Sequence, residues 1–160
     1  MSAETPNRVV ANTLALNGET HANPGTPTAI HAGYATTEVV VRTPAGERLG
    51  SVVAAVADTP DLRYRGLSET PSLPEGRGML FAFDGAADRT FVMRGMSFGI
   101  DIIYADSDGA ITRIHHAPAP GPETDGSEQQ YPGYGQYVLE VNRGWTTDRG
   151  VTVGDVLEFG

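Results

Sequence analysis

A carboxylate set among isoleucines is the first residue of chemical interest: Asp101, within Gly99-Ile100-Asp101-Ile102-Ile103. Taking that charge out of water is costly unless a donor or a cation meets it. One reading has Asp101 satisfied by Arg94 or by backbone N–H groups, in the service of stability. The other makes it a site carboxylate. The first is preferred, because buried charges are usually paired for structural reasons. His115 and His116 follow downstream. Neighbours in a strand point to opposite faces, so at most one of them joins a given site. A hairpin turning symmetrically about Ser107-Asp108 pairs Asp101 with Ile114 and leaves Thr112 and His116 diagonal on the same face. A three-residue loop sets His115 opposite instead. In either register a histidine approaches the carboxylate. The chain has no Cys and offers no third spaced ligand, so no metal site and no cofactor are assigned.

Other patterns weigh less. Gly95-Met96-Ser97-Phe98-Gly99 has the form of a nucleophile elbow, which needs a strand before the serine and a helix after it. Residues 100–105 read as a strand, so the match is accidental. Asp106-Ser107-Asp108-Gly109 opens like a calcium loop. Ala110 and Ile111 then stand where an oxygen ligand and a glycine belong, and no closing Glu follows. It is a turn. Arg63, Arg65 and Arg94 form a cationic group able to hold a small anionic ligand or peptide by bidentate contacts. Tyr131 and Tyr134 would line the same pocket, between residues 91–101 and the loop at 117–135. The competing reading pairs each Arg with one of the twenty acids.

The elements that must position these residues are short strands. Val39-Val40-Val41 and residues 49–57 flank a turn at Pro44-Ala45-Gly46-Glu47 and read as a strand pair. Thr59-Pro60-Asp61-Leu62-Arg63-Tyr64-Arg65-Gly66 carries a full set of helix signals. Thr59 suits the N-cap, Pro60 the first helical position and Asp61 the positive end of the dipole. Arg63 and Arg65 suit the negative end, and Gly66 a left-handed stop. Residues 78–83 are apolar on both faces, as in a strand buried on both sides. Strands are also expected at 90–94, 100–105, 110–116, 136–141 and 156–159. A second short helix, at 143–149, closes at Gly150. Residues 84–89 read as a polar loop, and 117–135 as a long Pro/Gly-rich one. The fold class is mainly β (α+β), a small barrel or sandwich with two short helices. Residues 36–160 form one domain. Residues 1–35, rich in Thr, Asn, Pro and Gly, form a polar arm or leader with Val9, Val10, Leu14 and Leu16 as its anchors.

Composition bounds the partners. A net charge of −9 repels phosphates and disfavours nucleic acid. No apolar run approaches the roughly 20 residues of a membrane span. Residues 1–11 lack the apolar stretch of a secretory signal, so a soluble, cytoplasmic protein is expected. All eleven bases are Arg, against twenty acids. A GC-rich genome, which favours Arg codons, is one explanation; the acid excess favours the other, a halophilic source, since counterions at high salt screen the self-repulsion of an acidic surface.

In order and with suitable spacing the chain contains RYRGL at Arg63, GMLFAF at Gly78, FVMRGMSFGID at Phe91, YVLE at Tyr137, Gly144 and Gly154-Asp155. Together these resemble domain of unknown function family 192, over residues 51–160. The resemblance implies a compact, mainly β fold of unassigned biochemical role. The chain departs from the family's pattern in its most distinctive stretch. Val92 stands for Trp, Arg94 for Lys, Gly95 for Asn, Met96 for Thr and Gly99 for Pro. If that Asn or Thr served a ligand, the activity here is lost or changed. With no complete catalytic set, the leading expectation is a non-catalytic binding or accessory module. The alternative is a hydrolytic enzyme using Asp101 with His115 or His116, with or without a metal.

Overall fold

The computed structural model describes residues 8–10 and 33–160, and half of these lie in strands. The strands are β1 (Arg8–Val10), β2 (Thr36–Arg42), β3 (Arg48–Ala57), β4 (Arg77–Val92), β5 (Ile100–Ala105), β6 (Ile111–Ala117), β7 (Gln130–Asn142) and β8 (Val156–Phe159), with helices α1 (Pro60–Arg65) and α2 (Trp145–Arg149). They form one sheet in the order β6-β5-β7-β4-β3-β2-β8, with β1 laid parallel to the end of β4. The expected arm at 1–35 otherwise falls largely outside the described residues.

Local chemistry accounts for α1. Thr59 is extended, and its hydroxyl accepts from the Leu62 N–H at 3.2 Å. Gly66 closes the helix through its own N–H to the Leu62 carbonyl at 3.0 Å. Its φ is +49° but its ψ is −134°, so it turns the chain without the regular left-handed stop expected. α1 carries the crossover between β3 and β4, which run parallel.

The sheet curls into a half-barrel. The β5–β6 turn meets β8, where Ala110 bridges Val156 and the Leu157 N–H donates to Gly109 at 2.8 Å. Both faces are covered, which is why all six β5 residues are buried. One face holds Phe81, Phe91, Ile102, Tyr104, Leu67 and Leu73 beneath α1 and the segment after it. The other holds Val39, Val41, Ile103, Leu139 and Val141 around Trp145 of α2.

Three expectations are corrected. Residues 78–83 and 90–94 belong to a single strand, β4, with an irregularity between Ala82 and Ala87 in place of a loop. β7 begins at Gln130, so the long loop is shorter than 117–135, and Tyr131 and Tyr134 are strand residues. Gly133 and Gly135, which suggested a loop, serve close packing instead. At Gly133 a Cβ would run into the Tyr104 ring. The hairpin adopts neither register considered. Asp101 stands directly opposite His116, with the shift absorbed near Tyr104/Ala105.

Candidate functional site

Asp101 is wholly buried and fully engaged. Its Oδ1 accepts from His116 Nδ1 at 2.8 Å and from the Gly144 N–H at 3.2 Å. Its Oδ2 accepts from the Thr146 N–H at 3.0 Å and the Thr146 hydroxyl at 2.6 Å. Gly144 opens α2 at a φ of +96°, and no side chain of its own caps the helix. Asp101 caps it from across the sheet, satisfying N–H groups that a short helix cannot. This is the structural reading, with one correction: the partners are His116, Thr146 and backbone N–H groups, not Arg94. The His116 side chain is 48% exposed, and Nδ1 bound to the carboxylate leaves Nε2 available.

His115 lies on the opposite face, where its Nε2 meets the Pro132 carbonyl at 2.7 Å. Its ring packs edge-on to Tyr104 and Tyr131. Burial holds its pKa below the usual imidazole value, against the opposing effect of the Pro132 hydrogen bond. A neutral ring donating from Nε2 follows. The two histidines therefore serve different sites.

The three arginines each meet a different partner. Arg63 donates to the Ala82 carbonyl at 2.9 Å and stacks over Phe83, with Arg89 also stacked on that ring. Arg65 pairs with Glu69 at 3.9 Å. Arg94 donates to the Tyr64 hydroxyl at 2.5 Å and lies over its ring. Tyr131 is partly buried against the Phe81–Tyr104 cluster and accepts from Gln129 at 3.0 Å.

Tyr134 does border an opening. The far half of the β4–β7 ribbon folds over the β5–β6 hairpin, held by side chains that donate to β7 carbonyls. Tyr104 donates to Tyr131 at 2.5 Å and Thr112 to Tyr134 at 2.5 Å. Beside this seam lies an open groove of about 450 Å³, walled by Asp88, Arg89, Thr90, Thr112, Arg113 and residues 132–134. Tyr134 is 48% exposed. Arg113 is exposed and has no hydrogen-bond or ion-pair partner among the described residues. Sequence reasoning passed over Arg113. Its one signal was position: a base three residues before His116 in an acidic chain.

Glu140 was also missed as a chemical group. It is fully buried, both carboxylate oxygens lack a partner among the described residues, and burial pushes its pKa up to about 8. The signal lay in strand parity, since Val138 shares its face. Arg77 is likewise buried, with Nε and Nη2 unpartnered among the described residues. Among the described residues no three His, Asp or Glu side chains cluster as a metal site would need.

The family model described as DUF192, uncharacterized ACR, matches residues 40–159. The chain belongs to domain of unknown function family 192. Two crystal structures resemble this DUF192 domain closely. One, from Sinorhizobium meliloti and described as a candidate transcription regulator, is 28% identical with a TM-score of 0.71, covering 81% of this chain and 97% of its own. The other, a protein of unknown function from Novosphingobium aromaticivorans, is 26% identical with a TM-score of 0.67, covering 91% and 99%. No curated protein matches the chain. No helix among the described residues of this DUF192 domain is long and apolar enough to cross a membrane.

Proposed function

We propose that this DUF192 domain is a small non-catalytic binding module, acting in the cytoplasm, whose site is the groove beside Arg113 and Tyr134. The observation that carries this reading is the Arg113 guanidinium. Among the described residues it stands without a hydrogen-bond or ion-pair partner in a concavity, while Arg63, Arg65 and Arg94 each have one. A free guanidinium beside an exposed aromatic ring suits a small carboxylate or one acidic group of a peptide. The net charge of −9 argues against a nucleic acid strand there. A regulatory role such as the Sinorhizobium meliloti relative's description names would then run through a small ligand or another protein. Titration with succinate, followed by backbone amide shifts, tests the reading. Shifts at residues 112–113 and 132–134, lost in Arg113→Ala and Tyr134→Ala, support it. Unchanged shifts in both variants remove it.

One observation favours a second reading, hydrolysis at Asp101 and His116. A buried carboxylate that fixes Nδ1 of a half-exposed histidine is the orienter-and-base half of a nucleophilic site. An ester and phosphoester screen of wild type and His116→Gln decides it, since turnover lost in the variant is required.

A further inference from the structure

We infer that the outer edge of β6 is a docking edge for an extended peptide, which adds as a strand along Thr112–Ala117 and places one carboxylate on Arg113. This rests on the groove being the binding site and names the kind of ligand it takes.

Three observations carry it. β6 ends the sheet order, so its backbone groups facing away from β5 form an open ladder. Among the described residues, none of the backbone groups of 112–117 bonds outside the β5–β6 pairing. The neighbouring Ile111 is different. Its N–H donates to Asp155 at 2.8 Å, and its carbonyl accepts from Gly154 at 2.9 Å. Among the described residues the edge is therefore open from Thr112 onward, and closed before it.

Second, the open edge forms one wall of the groove, through Thr112 and Arg113, and the folded-over ribbon forms the other. A strand of about six residues spans about 20 Å, so an occupant lying along this wall is a short extended segment. Backbone pairing would supply its affinity, and side chains reaching into the groove its selectivity.

Third, the charges choose the occupant. Arg113, unpartnered among the described residues, can meet one carboxylate, yet Asp88 also lines the groove and the chain carries −9 overall. An acidic partner is repelled at large, and so is a second copy of this chain. The occupant is a neutral or basic segment with a single carboxylate placed at Arg113.

The test uses the full chain and a pool of hexapeptides with one fixed glutamate, the other positions randomised among Val, Thr, Ile and Lys. Backbone amide shifts along 112–117 and 131–134 are expected. Affinity should fall about tenfold or more when the fixed glutamate becomes glutamine, or in Arg113→Gln, an exposed site where folding is undisturbed. N-methylation at alternate peptide nitrogens should abolish binding. Equal binding of the N-methylated pool overturns strand addition while leaving the groove reading intact. Absence of shifts along β6 with the pool, while succinate still binds, does the same. Silence from both pool and succinate removes both readings. Shifts along β6 that grow with protein concentration alone would make the occupant a second copy and overturn the inference.

Discussion

Replacing Glu140 by glutamine abolishes a proton equilibrium that burial displaces from 4.5 to about 8. In the folded chain this carboxyl stays protonated well above the pH at which the unfolded chain releases its proton. The folded state thus binds more protons between these values, and stability falls as pH rises. The contribution is fully present below 4.5 and is lost by the time pH has passed about 8. At 1.36 kcal/mol per pH unit that interval is worth roughly 5 kcal/mol, of which roughly 3 kcal/mol is already gone at pH 7. The Glu140→Gln variant would carry no such slope, although its amide, equally short of partners, costs a constant amount. Urea unfolding of wild type and variant, at half-unit steps from pH 4.5 to 9, isolates the effect. All other titrating groups cancel in the difference between the two curves. Relative to wild type, the variant should gain about 1.4 kcal/mol per pH unit across the window. Two parallel curves, offset by a constant, would show that Glu140 is solvated or paired, and the reasoning would fail.

Four further expectations follow from the same geometry. Asp101→Ala leaves the Gly144 and Thr146 N–H groups and His116 without their acceptor, and should cost about 3–5 kcal/mol in urea unfolding. A loss below about 1 kcal/mol would refute its role as the cap of α2. His115 has a depressed pKa, so stability present above its unfolded value near 6.5 is lost as pH falls. His115→Gln should therefore lose less stability than wild type between pH 7.5 and pH 5, as read by thermal melts. Gly133→Ala forces a methyl group into the Tyr104 ring and should destabilise by about 1–3 kcal/mol, with a lowered Tm; an unchanged Tm would count against the ribbon's close seat. Finally, if the acidic surface is a high-salt adaptation, Tm should climb steeply from dilute to molar KCl, and a flat response would exclude it.

Local signals were legible without coordinates wherever neighbouring residues set the outcome. Thr59, Pro60 and Gly66 bounded α1 because a cap, a fixed φ and a positive φ act within one turn. Gly150 likewise closed α2. Alternation and apolar runs located the strands, and the ordered motifs pointed to the family that the match over 40–159 establishes. The prediction that Asp101 needs company was also a local deduction, since an ionised carboxylate among isoleucines needs a donor or cation beside it.

Which company it keeps was decided only by tertiary structure. His116 comes opposite through a hairpin irregularity, and Thr146 arrives from a helix 45 residues away in sequence. Polar residues 84–89 and the Gly/Pro-rich start of β7 read as loops because propensity is blind to a ribbon folded over its neighbour. Arg113 and Glu140 carry the same lesson in opposite senses. Charge type is written in the chain, but whether a charge faces a groove or a sealed core depends on register and curl. Those come from pairings between residues remote in sequence, where packing outweighs local preference.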